Sequence, residues 1–203
     1  MNPTITITCD NAKCDAHCSN CFQWIKKAMN FKPHDKRPYD AYLMYLRSRN
    51  LKEGKKPSQS PIKGWCLITI NPDTSKLSLE EFITLMLKTF QRKLFNSATI
   101  AFEQRGEDAD NLGYGFHCHA LVQLGDGKKP KDVRRDLARS FVKGKNPICG
   151  NPKHIDVRRL ATSRDKHNAF AYISGEKDAS KTDKALMDIE WREINKIEPL
   201  YHV

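Results

Sequence analysis

The sequence predicts an α+β domain, a mainly antiparallel sheet flanked by helices, preceded by a cysteine-rich amino-terminal appendage. Short segments alternate apolar and polar residues at period two, and the segments between them carry apolar residues at steps of three and four. Their order is strand, helix, strand, strand, helix, strand, helix, which does not repeat as the βα units of a doubly wound parallel sheet.

In chain order, Thr4 to Thr8 alternates briefly, and Cys9, Cys14, Cys18 and Cys21 follow within thirteen residues. Short helices are expected from near Ser19 and over Tyr39 to Arg49. Lys52 to Lys63 is rich in Lys, Ser, Pro and Gly without periodic apolar positions and reads as a linker. This sets an appendage over residues 1–60, a main domain over 61–178 and a C-terminal amphipathic helix within 179–203. Trp65 to Asn71 is a strand by its β-branched content, stopped by Asn71-Pro72-Asp73. Ser78 and Glu81 form a capping box for a helix bearing Leu79, Phe82, Ile83, Met86, Phe90 and Leu94, expected to end near Phe95. Ala98 to Gln104 and Phe116 to Leu124 read as strands around a polar, glycine-bearing loop. Pro130 opens a helix with Val133, Leu137, Ala138 and Phe141 on its apolar side. Lys153 to Leu160 alternates as a strand, Ser163 begins a helix reaching about Gly175, and Ala185 to Ile197 is the last amphipathic segment.

Composition narrows the function classes. At 203 residues, 39% hydrophobic, the chain has room for one domain and an appendage. No apolar run approaches the roughly 18–20 residues of a membrane span, and Met1 to Lys13 has neither a basic nor an apolar signal region. The expected compartment is therefore the cytoplasm or a nucleus, with no membrane partner. Lys and Arg outnumber Asp and Glu by 35 to 24, a net charge of +11 that suits a polyanion such as nucleic acid. No GxxxxGK[ST] motif is present, which removes a P-loop ATPase.

The sharpest chemical signal is His117-Cys118-His119. Strand alternation sets both imidazoles on one face, able to converge on one divalent cation, while Cys118 and Ala120 point the other way. Glu103, near the end of the preceding strand, lands beside them if the two strands form a hairpin. Two imidazoles and a carboxylate leave open positions for water and a phosphate oxygen, which suits Mg2+ or Mn2+. Tyr172 lies on the flank of the helix whose core contacts are Phe170 and Ile173, and a phenol can attack phosphorus, with Lys177 or a metal stabilising the developing charge.

Strand Trp65 to Asn71, His117-Cys118-His119 between apolar residues, and Tyr172 with a downstream lysine together resemble the three ordered motifs of HUH endonucleases, in particular rolling-circle Rep initiators. The resemblance covers about residues 64–178. It implies a five-stranded antiparallel sheet with the histidines on a central strand, a metal held by His117, His119 and Glu103, and Tyr172 as the nucleophile. The activity implied is nicking and joining of single-stranded origin DNA through a 5′-phosphotyrosine, with a host helicase and polymerase as partners. Lys177 follows its tyrosine at five residues, where the family lysine usually follows at three or four.

The four clustered cysteines suit a tetrahedral zinc site that stabilises the appendage, with His17 or His34 able to replace Cys9. Cys14, Cys18 and Cys21 also spell CxxxCxxC, which resembles the cluster motif of radical S-adenosylmethionine enzymes. A third reading is a nucleic-acid-binding module without catalysis. Lys128-Lys129, Arg134-Arg135 and Arg158-Arg159 are the candidate phosphate contacts in either nucleic-acid reading.

Overall fold

The computed structural model describes residues 59–203, apart from 107 and 178–180. The candidate zinc ligands Cys9, Cys14, Cys18 and Cys21, the alternatives His17 and His34, the amino-terminal alternating segment and the two short amino-terminal helices lie outside the described residues.

Five strands, β1 (Trp65–Ile70), β2 (Phe95–Glu103), β3 (His117–Leu124), β4 (Ile155–Arg159) and β5 (Tyr201–His202), form one sheet in the order β4-β1-β3-β2-β5, every pair antiparallel. Four helices, α1 (Leu79–Phe90), α2 (Pro130–Phe141), α3 (Ser163–Ile173) and α4 (Thr182–Ile194), flank it. In the order β1-α1-β2-β3-α2-β4, each strand-helix-strand unit leaves a gap that a strand of the other unit fills. The expected α+β class with its five-stranded antiparallel sheet is what the chain adopts.

The sheet's two faces do different work. Cys66, Ile68, Ile70, Ile100, Phe102, Cys118, Ala120 and Val122 face a core closed by Phe82, Met86 and Phe90 of α1 and by Val133, Leu137 and Phe141 of α2. The opposite face carries a smaller cluster, Leu67, Ala101, Leu121 and Leu160 under Ala169 and Ile173 of α3. Central strand β3 is thus covered on both sides, and seven of its eight residues are buried.

Local chemistry explains the element ends. The Ser78–Glu81 capping box forms as expected, with Ser78 N–H donating to Glu81 Oε2 at 2.7 Å. Helix α1 stops at Phe90, not near Phe95. Phe95 instead begins β2, its ring 5.1 Å from that of Phe90, with a bulge at Asn96 before regular pairing resumes at Ser97. Strand β4 starts at Ile155, not Lys153, because Pro152–His154 forms a 3-10 turn capped by Asn151, which accepts from Lys153 N–H at 2.8 Å. Strand β5 has only two residues and no readable alternation. It pairs on the outer edge of β2, prolonged by reciprocal backbone bonds between Ala98 and Val203 at 2.7 and 2.9 Å. Helix α4 joins the main core through Trp191.

Cys66, Cys118 and Cys149 are free and buried. Burial pushes the thiols of Cys66 and Cys149 up to about 11 and that of Cys118 higher still, so they fill space as neutral groups and are not nucleophiles. No helix among the described residues is long and apolar enough to cross a membrane.

Phe82 is fully buried and its ring meets Phe102 and Phe116 at 5.8 and 5.5 Å, joining α1 to β2 and to the loop entering β3. Phe82→Ala is expected to cost about 3–5 kcal/mol. Urea unfolding checks this, the midpoint falling with little change in slope.

Candidate metal centre

The site lies where the end of β2, the start of β3 and the end of β1 meet. Antiparallel register sets Glu103 opposite His117, and sets His119 opposite Ala101 on one side and Thr69 on the other. The described residues between Glu103 and His117 close on one another. Arg105 N–H donates to the Tyr114 carbonyl at 2.6 Å, and Gln104 Oε1 accepts from the backbone N–H groups of Gly106 and Gly113. Gly113 has φ +90, and a Cβ there would lie 2.9 Å from Trp191 Nε1, so the loop sits directly against α4. The long connection therefore delivers Glu103 and His117 into a directly paired position.

Glu103, His117 and His119 are 3%, 8% and 8% exposed, and their candidate ligand atoms all lie within 4.8 Å of one another. Each imidazole is held through Nδ1. His117 Nδ1 lies 3.2 Å from the Gly115 carbonyl, which can only accept, so this nitrogen carries the proton and Nε2 presents a lone pair. His119 Nδ1 lies 2.9 Å from Thr69 Oγ1. The two Nε2 atoms stand 3.9 and 3.7 Å from Glu103 Oε2, too far for hydrogen bonds. Donor atoms that share an ion at about 2.1 Å lie at most about 4.2 Å apart, and both separations from Glu103 Oε2 to an imidazole Nε2 fall within that reach. Neutral imidazoles are required, and the site supplies them. Burial and the neighbouring His119 pull His117 down to about 4, and burial pulls His119 down as well.

Tyr172 is delivered by the last turn of α3, its ring centroid 5.3 Å from that of His119 in an edge contact. Burial raises its phenol above the ordinary value, helped by the negative charge of Glu103 and opposed by Lys177 and Arg158. Beyond Tyr172 the helix ends in a turn in which Glu176 N–H bonds the Ala171 carbonyl at 2.9 Å and Gly175 takes φ +97. This reversal, not a helical face, brings Lys177 back beneath the tyrosine, its Nζ 5.8 Å from the ring centroid. It also accounts for the five-residue spacing. Lys177 Nζ donates to Glu103 Oε2 at 2.7 Å and to Asp188 Oδ2 at 2.6 Å. Burial favours its neutral form, but the two carboxylates outweigh burial and hold it charged.

The basic pairs separate. Arg158 is opposite Leu67 in the β1–β4 register and so shares the face of the histidines, whereas Arg159 is opposite Cys66 and belongs to the other face. Arg134 and Arg135 are exposed on α2, which covers the face away from the site. Lys128 and Lys129 follow the far end of β3, about 23 Å along the strand from His117. Of the six, only Arg158 is brought near Tyr172. Asp188, Thr69 and the pair Lys166–Trp65, with Nζ 3.5 Å from the indole centroid, are absent from the sequence reading. Thr69 was signalled only by its place on the histidine-facing side of β1, and Asp188 by no motif.

The depressed His117 has a thermodynamic sign. Between its ordinary value of 6.5 and about 4, the unfolded chain binds a proton that the folded one excludes, so its stabilising contribution is present above 6.5 and lost as pH falls towards 4. Metal-free protein is expected to lose about 3 kcal/mol from this group across that window. Urea titrations at pH 7, 5.5 and 4.5 should show a smaller loss in His117→Gln, and equal slopes would exclude the effect. No protein-family model, curated protein or solved structure matches the chain, so the reading of its function rests on this geometry.

Proposed function

We propose that the chain is a metal-dependent, single-tyrosine nicking and joining enzyme of HUH type that acts on single-stranded origin DNA to initiate rolling-circle replication. The observation that carries this reading is the placement of Tyr172 against His119, at the edge of a buried two-histidine, one-carboxylate cluster built from different strands. A nucleophile and a cation site converging from separate elements favour phosphoryl transfer over a silent binding module.

Glu103, His117 and His119 would hold Mg2+ or Mn2+, which would supply polarisation of the scissile phosphate. Tyr172 Oη attacks phosphorus, forming the tyrosyl–phosphate bond as the P–O3′ bond breaks, and the phenol proton is balanced by the 3′-hydroxyl that leaves. Lys177 and Arg158 place positive charge beside the phenol and favour its anionic character as the bond forms. Arg158 and the Lys166–Trp65 pair offer phosphate and base-stacking contacts on the same face. The exchange conserves a phosphodiester-level bond, so the 3′-hydroxyl can prime a polymerase and later attack the phosphotyrosine without ATP. The exchange itself needs no nucleotide loop, and a host helicase is the proposed partner for strand separation. Cys9, Cys14, Cys18 and Cys21 are proposed to hold a zinc ion apart from this centre.

Incubation with a randomised single-stranded DNA pool and Mn2+ is expected to trap a covalent adduct, mapped by mass spectrometry to Tyr172 through a 5′-phosphate. Tyr172→Phe should bind DNA and form no adduct, and His117→Ala with His119→Ala should abolish the metal dependence. An adduct on Tyr114 or Tyr201, or normal nicking by Tyr172→Phe, overturns the mechanism. Elemental analysis should find one zinc that Cys18→Ser with Cys21→Ser removes.

A further inference from the structure

Helix α4 lies beyond the segment that carries the motifs, yet it sends one residue into the site. Asp188 is 1% exposed and both its oxygens are engaged. Oδ2 accepts from Lys177 Nζ at 2.6 Å, while Oδ1 accepts from Lys184 Nζ at 2.9 Å and from Gln104 N–H at 3.2 Å. The same Lys177 Nζ donates at 2.7 Å to Glu103 Oε2, the oxygen that faces both imidazole Nε2 atoms. Lys177 thus bridges a carboxylate that belongs to the metal cluster and one that does not.

That arrangement sets a competition. An ammonium and a divalent cation on one carboxylate oxygen repel each other, so loading the cluster requires Lys177 to give up Glu103. A lysine so buried is costly to leave unpaired. Asp188 is the other carboxylate bonded to Nζ among the described residues, and it is already in place. We propose that Asp188 is a positioning residue for the metal centre: it retains Lys177 when Glu103 turns to the cation, and so sets the affinity for divalent metal. Its further bond to Gln104 N–H fixes the backbone next to Glu103 at the same time. The proposal rests on the reading of Glu103, His117 and His119 as a metal site.

Mn2+ titration of the purified full chain, followed by the electron paramagnetic resonance signal of free Mn2+, tests it without reference to nicking. Asp188→Asn is expected to weaken binding about 10–100-fold, because Lys177 then has only Glu103 as a charged acceptor. Lys177→Met should bind at least as tightly as the unaltered protein. Lys177→Met with Asp188→Asn should match Lys177→Met within about threefold, since Asp188 no longer has that lysine to hold. Wild-type affinity in Asp188→Asn overturns the proposal. So does a double variant much weaker than Lys177→Met, which would mark Asp188 as mere support for α4 or as a direct field on the cation. If Asp188→Asn does not fold, the comparison of the double variant with Lys177→Met still decides. Absence of Mn2+ binding by the unaltered chain instead removes the metal site itself, and the proposal with it.

Discussion

The alternation of side chains along β3 is the constraint on which both the fold and the site depend. Cys118, Ala120 and Val122 occupy the main core beneath α1 and α2, and His117 and His119 occupy the other face because they are the intervening residues. A one-residue slip of this strand would drive the imidazoles into the core and the core residues out. The register is therefore fixed by burial on one side and used for chemistry on the other. Pairing with β2 extends the same rule to Glu103, and pairing with β1 extends it to Thr69.

Around that frame the charges close on one another. Glu103 and Asp188 supply two negative charges, Lys177 and Lys184 two positive ones, and the imidazoles are neutral near pH 7. The hydrogen-bonded chain of Glu103, Lys177, Asp188 and Lys184 is balanced in itself, which lets Glu103, Lys177 and Asp188 be buried together. A divalent cation would leave an excess positive charge there, and a phosphodiester, with its single negative charge, would offset part of it. Cation and phosphate should then reinforce each other's binding, beyond what Arg158 offers a phosphate alone.

What the sequence made legible is what period and spacing control. The capping box at Ser78, proline at the start of α2 and the alternation in β1 to β4 were readable because each is local. The histidine pair and Glu103 were readable because a hairpin converts period two into proximity. The same period applies to Arg158 and Arg159, which as neighbours on a strand face opposite ways. Leu94 and Phe95 continue an apolar pattern past α1, so periodicity alone extends the helix, whereas Phe95 pairs in β2 next to its bulge. Asp188 and Lys166 leave no such trace, because their roles arise from which distant elements the topology sets side by side.

The two borders of the sheet are unlike each other. On the β2 side the terminal strand β5 pairs with the border, so part of its backbone is already engaged. On the β4 side no further strand pairs among the described residues, and successive arginines, Arg158 and Arg159, stand there exposed. An unpaired strand invites another copy to hydrogen-bond alongside it, and closely spaced like charges oppose that approach. The charge that keeps such copies apart at this border is of the sign that attracts a polyanion. Resistance to self-assembly and affinity for a nucleic-acid strand would then be two results of one local choice of residues, and neutralising it should weaken both together.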